Sequence, residues 1–126
     1  MKGYGKELIL DIHECDVSKF NKKDIEKYLK ELCELIDMVR EDLHWWEYSP
    51  ETLSQEEYDK LPPHLKGVSC CQFIQTSNIV IHTLEELKCV YFNIFSCKNF
   101  KSGDAAEFTK KFFGGKIVNK HTIYRK

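Results

Sequence analysis

Residues 7–13, ELILDIH, divide into two alternating sets, Leu8, Leu10 and Ile12 against Ile9, Asp11 and His13. A period of two predicts a half-buried strand. Asp16, Ser18 and Asn21 then offer turn and N-cap chemistry. The period changes at KKDIEKYLKELCELI, where Ile25, Tyr28, Leu29, Leu32, Cys33 and Ile36 recur every three or four residues. That spacing predicts a helix with one apolar stripe. Charges fill its other face, and Glu26–Lys30 is a favourable i,i+4 pair.

Residues 37–66 carry a weaker pattern. A strand is expected around Leu43–Tyr48, then a polar loop with a short helical turn near Gln55–Lys60, which Pro62 and Pro63 close. Two apolar runs follow, VSCCQFIQ and IVIHT, parted by Thr76-Ser77-Asn78. Short turn-prone residues between β-rich runs predict a hairpin or tight reversal. KCVYFNIFSC reads as a further strand. Ser102-Gly103-Asp104 opens a second helix, with Ala105, Phe108, Thr109, Phe112 and Phe113 as its stripe and Gly114-Gly115 as its end. KIVNKHTIYR alternates again and predicts a last strand.

Two helices cannot cover both faces of such a sheet. The expected class is therefore α+β, an antiparallel sheet of four to five strands with two helices packed on one face. The other face must be solvated or packed against a second copy. A length of 126 residues suits a single domain over residues 1–126 with one real core. Nineteen basic residues against twenty acidic ones leave a net charge of -1, which argues against a nucleic-acid partner. An aromatic content of 13% and an apolar content of 42% argue against disorder. No apolar run approaches the ~20 residues of a membrane span, so no membrane partner is expected. MKGYGKELILDIHECD does not read as a signal peptide, because acidic residues follow its short apolar stretch at once. A cytoplasmic protein is expected. Its cysteines, Cys15, Cys33, Cys70, Cys71, Cys89 and Cys97, form no C-x-x-C pair. No metal site is expected from them, and free thiols in a reducing compartment are.

Periodicity does not disclose chemistry, but one stretch does. GVSCCQFIQTSNIVIHTLEE followed by VYFNIFSC resembles the self-processing S-adenosylmethionine decarboxylases of bacteria and archaea. In that family a stretch of the form G-V-S-G-x5-E-S-H-x-x-I-H-T-W-P-E precedes a strand ending in F-T-C-G. Ser77 matches the serine that becomes the pyruvoyl group, His82 follows five residues later, and Cys97 follows twenty after Ser77, as their counterparts do. Ser69 matches the serine of G-V-S, and Glu86 the last residue of W-P-E. GKELILDIHECD is similar to the family's opening strand. The resemblance covers most of the chain and is thin between residues 37 and 66.

The resemblance implies that the Ser77 hydroxyl attacks the Thr76 carbonyl and turns the amide into an ester. β-Elimination then cuts between Thr76 and Ser77, and hydrolysis leaves a pyruvoyl group in place of Ser77. Neither a metal nor an external cofactor is then needed. The pyruvoyl carbonyl forms a Schiff base with the substrate amine and accepts the electrons released with carbon dioxide. In this scheme His82 takes the proton lost in the elimination, Ser69 supports the ester intermediate, and Cys97 returns a proton after decarboxylation. Glu86 is the carboxylate for ribose hydroxyls, and Trp45 and Trp46, with Tyr48 beside them, offer a stacking face. Tyr4 is a weaker stacking candidate. Each residue also has an ordinary use: Ser77 in a turn, His82 and Ser69 in a sheet, Cys97 as core filler, Glu86 as a solvated charge, and the tryptophans in core or interface.

The chain departs from the pattern at Thr76 for glutamate, Asn78 for histidine, Leu84-Glu85 for Trp-Pro and Cys70 for glycine. The first two flank the scissile bond and bear on processing rate. The others bear on substrate identity. Three readings follow: a S-adenosylmethionine decarboxylase feeding spermidine synthesis, a pyruvoyl-dependent decarboxylase of arginine or ornithine, and a non-processing homologue that binds ligand or partner. A homodimer of processed protomers, sheet face to sheet face, is expected from the family. No cluster of acids compels a diamine activator such as putrescine.

Overall fold

Six strands make one antiparallel sheet in the order β2-β3-β4-β5-β1-β6 in the computed structural model, which describes residues 3–126. In chain order these are β1 (Gly5–His13), α1 (Lys22–Leu35), β2 (Arg40–Tyr48), α2 (Gln55–Lys60), β3 (Gly67–Ile74), β4 (Ser77–Leu84), β5 (Cys89–Ser96), α3 (Ser102–Phe113) and β6 (Lys116–Arg125). The sheet thus exceeds the expected four to five strands. β2 and β6 are its two edges, and β6 is exposed along nearly its whole length. β6 buries neither face, whereas β2 packs Leu43 and Trp45 against the core.

The predicted alternation holds where the sheet is covered. Leu8, Leu10 and Ile12 of β1 and Val90, Phe92 and Ile94 of β5 are buried on the face that α1 and α3 cover. Asn21 caps α1 by accepting the Asp24 backbone N–H. The apolar stripe Ile25, Tyr28, Leu29 and Leu32 then packs on the sheet. α3 ends at Gly114, whose φ of +68 is the left-handed conformation that glycine adopts without penalty. At the start of β3 a side chain on Gly67 would lie 1.6 Å from the Thr83 carbonyl oxygen. The glycine of the G-V-S motif therefore lets β3 and β4 meet closely.

The inserted segment is fastened to the rest. Ser54 and Glu57 form a reciprocal capping box at α2. Tyr58 Oη then donates to Glu85 Oε2 at 2.6 Å, in the β4–β5 turn. α1 and α3 leave the opposite sheet face open, with the single turn over residues 63–65 beside it. Trp46, Phe73 and Tyr91 are all exposed there, Trp46 by 64%. No helix among the described residues is long and apolar enough to cross a membrane.

Candidate active site

Ile74 pairs with Ser77, so only Gln75 and Thr76 connect β3 to β4. The reversal lies one to two residues earlier than the expected Thr76-Ser77-Asn78, because Ser77 and Asn78 already belong to β4. Thr76 has a φ of +52. A β-branched residue rarely enters the left-handed region, and holding it there costs on the order of 1–3 kcal/mol. The peptide bond between Thr76 and Ser77 begins at that strained residue.

The register of β4 against β5 brings Cys97 to the same place. Asn78 pairs with Phe95, so the start of β4 meets the residues that leave β5. The Cys97 backbone N–H donates to Ser77 Oγ at 3.0 Å, and Ser77 is 6% exposed. Thr76 Oγ1 lies 2.8 Å from Cys97 Sγ. Thr76, Ser77 and Cys97 are thus one cluster, and Thr76 and Cys97 line a cleft of about 600 Å³ together with Asp37, Met38, Val39, Glu41 and Lys98. Lys98 Nζ reaches Asp37 Oδ2 at 2.7 Å across it.

The six thiols separate by environment. Burial pushes Cys15 and Cys33 up to about 11 and Cys70 up to about 12, and it raises Cys71 and Cys89 as well. Cys97 alone is shifted down, held below the usual thiol value by hydrogen bonds from the Thr76 and Ser77 side chains. A thiol so placed exchanges its proton more readily near neutral pH.

Ser69 and His82 form a second cluster. They are directly paired across β3 and β4, with Ser69 Oγ 2.8 Å from His82 Nδ1, on the uncovered face. Trp46, Tyr48, His64, Leu65 and Leu84 complete a cleft of about 350 Å³ around them. Trp46 packs edge-on against Tyr48, with ring centroids 5.7 Å apart. The two clusters do not meet within one chain. His82 lies five residues beyond Ser77 on β4, roughly 16 Å at the rise of an extended strand.

The remaining expected site residues divide. Trp46 pairs with Ser69 and shares its face, whereas Trp45 pairs with Cys70 and packs against the core. Alternation turns Trp45 to the helix-covered face, away from the Ser69–His82 pair. Glu86 accepts a hydrogen bond from Lys66 Nζ at 2.6 Å, and Lys66 is itself 6% exposed. Tyr4 stacks on Phe95, with centroids 6.1 Å apart. His64, Asp37, Glu41 and Lys98 line the two clefts without any motif to announce them, since three of the four sit in the weakly patterned residues 37–66.

The S-adenosylmethionine decarboxylase family model matches residues 6–126. The chain belongs to the S-adenosylmethionine decarboxylase family. Its fold is similar to the crystal structure of the adenosylmethionine decarboxylase from Aquifex aeolicus, with a TM-score of 0.77. The match has 17% sequence identity and covers 99% of this chain and 92% of that one. At that identity the likeness is one of fold, and it bears out the expected α+β class with an antiparallel sheet. No curated protein matches the sequence. Membership of this decarboxylase family gives the Thr76–Ser77–Cys97 cluster and the Ser69–His82 pair a chemistry to be weighed against.

Proposed function

We propose that the protein is a self-processing decarboxylase of S-adenosylmethionine, activated by cleavage between Thr76 and Ser77, that supplies an aminopropyl donor for spermidine synthesis in the cytoplasm. One observation carries this reading: a strained residue, a serine and the only down-shifted thiol converge on that one peptide bond. The residues suit a pyruvoyl group at position 77. Once formed, that group would supply an electrophilic carbonyl that holds the substrate amine and takes up the electrons freed as carbon dioxide leaves.

The chain's own residues do the rest. Strain at Thr76 favours the acyl shift to Ser77 Oγ, because the shift releases the backbone that is held at positive φ. Cys97 gives a proton to the carbon that loses carbon dioxide. The elimination that cuts the chain needs a base at Ser77, and His82 of the same chain is too far along β4 to serve. The base is read as His82 of a second copy, oriented by its Ser69 and packed open face to open face. The exposed Trp46, Phe73 and Tyr91 on that face support such a homodimer, since apolar surface of this kind gains by cover. Trp46 and Tyr48 beside the Ser69–His82 pair then line the substrate cleft.

A second reading keeps this chemistry and changes the substrate. Asp37 and Glu41 line the cleft at Thr76 and Cys97, and carboxylates there suit the cationic tail of arginine or ornithine. Intact mass under denaturing, reducing conditions tests the shared chemistry. Two fragments are expected, residues 1–76 and 77–126, the second blocked at its N-terminus. A chain that stays uncut on long incubation overturns the reading and leaves ligand or partner binding. Carbon dioxide release from S-adenosylmethionine, arginine and ornithine then decides the substrate.

A further inference from the structure

The Thr76 hydroxyl has two partners and one proton. Its Oγ1 lies 2.8 Å from the Gln75 carbonyl oxygen and 2.8 Å from Cys97 Sγ. A carbonyl oxygen only accepts, so while Cys97 is a neutral thiol the hydroxyl donates to Gln75 and accepts from the sulfur. The thiol's other acceptor, the same Gln75 oxygen, is farther away at 3.8 Å. A thiolate offers lone pairs and no proton. The hydroxyl hydrogen then swings to the sulfur, and no heavy atom has to move.

We infer that Thr76 is a positioning residue for Cys97, its hydroxyl transferring its hydrogen bond from the Gln75 carbonyl to the sulfur as Cys97 gives up its proton. The inference rests on Cys97 being the proton donor proposed above. In that step the S–H bond breaks, the electron pair stays on sulfur, and a C–H bond forms at the carbon that has lost carbon dioxide. A charge-assisted hydrogen bond to the thiolate is stronger than the neutral bond it replaces, so the step is favoured. In the uncut chain the left-handed φ of Thr76 sets Oγ1 at this point between carbonyl and sulfur. Glutamate, which the family pattern has here, would bring a carboxylate toward the sulfur and oppose a thiolate.

Ser77 Oγ accepts the Cys97 backbone N–H, and the Ser77 hydroxyl also favours the thiolate, as the second cause of the downward shift after Thr76; the Ser77→Ala background removes that contribution from every variant. Asp37 and Glu41 face the cleft from the α1–β2 connection and β2, and both disfavour a thiolate. Lys98 favours one, and its ammonium is engaged by the Asp37 carboxylate at 2.7 Å and by the Asp37 carbonyl at 2.6 Å. The downward shift of Cys97, with the Thr76 hydrogen bond as its largest cause, is in the direction this balance requires.

The test is the pH dependence of Cys97 alkylation by iodoacetamide, read by peptide mapping on the full chain. It is run as purified and again with Ser77→Ala in every variant, which holds the chain uncut. Thr76→Val keeps the shape and the β-branch and loses the hydroxyl. Thr76→Ser keeps the hydroxyl. The Val variant is expected to label Cys97 roughly tenfold more slowly at neutral pH, with its profile displaced to higher pH. The Ser variant is expected to follow the parent. Cys71 labelling serves as an internal reference for folding. A Val variant that follows the parent, or Ser and Val variants displaced alike, overturns the inference. Thiol titration needs neither cleavage nor turnover, so it fails or holds separately from the proposed function.

Discussion

Ser69 and His82 face each other across β3 and β4 at 2.8 Å, while Ser77, on the same strand as His82, is beyond the reach of both. A base and the serine it should serve are separated by the geometry of one extended strand. Two chains can satisfy what one cannot. Made alone, the Ser77→Ala chain should stay uncut and the His82→Ala chain should be cut roughly 10²–10⁴-fold more slowly. Co-expressed, the His82→Ala chain should be cut, because its partner supplies an intact histidine. Mass spectrometry of the mixture reads this directly. Cleavage of the His82→Ala chain alone at the parent rate would remove His82 from the mechanism.

The strain at Thr76 has its own signature. Thr76→Gly relieves a φ of +52, and against the greater entropy glycine loses on folding the net gain is expected to be about 1 kcal/mol. Urea melts with Ser77→Ala in both chains measure that gain. The same substitution should slow cleavage, since the acyl shift no longer releases stored strain. Faster cleavage of the glycine chain would show that strain does not drive the shift.

Selective alkylation should single out Cys97. Its thiol is shifted down, whereas burial raises the other five. A lower pKa gives more thiolate at neutral pH, so one equivalent of iodoacetamide is expected on Cys97 first. The rate should rise with pH and level off below the pH at which the same thiol levels off in the unfolded chain. Equal labelling of Cys71 and Cys97 at neutral pH would contradict the environment described for Cys97.

Glu86 distinguishes a structural role from a substrate contact. Lys66 is 6% exposed, its Nζ is 4.8 Å from the Tyr58 ring centroid, and Glu86 is its anionic partner. Glu86→Ala leaves that buried cation without its counter-charge. A loss of about 1–2 kcal/mol is expected, discounted because Glu86 is half exposed. Thermal or urea unfolding measures it. A rise in KM for substrate with unchanged stability would instead return Glu86 to the substrate site.

The sequence alone determined the elements that bury a face. The alternation in β1 and the stripes of α1 and α3 are local consequences of having one side in a core, and they stood where the pattern put them. The G-V-S motif, Ser77, His82 and Cys97 were legible too, because a motif is a local string whose spacing survives without its context. The edge strands β2 and β6 were legible as well, at Leu43–Tyr48 and at KIVNKHTIYR, although the expected count of four to five falls short of the six strands that pair. Only tertiary structure decided which motif residues meet. Antiparallel register joins Thr76 and Ser77 to Cys97 and joins Ser69 to His82, yet it keeps the two groups apart. It also sends Trp45 to the core and leaves Trp46 beside His82. Neighbouring tryptophans look alike in a string of letters, and one step along a strand puts them on opposite faces of the sheet.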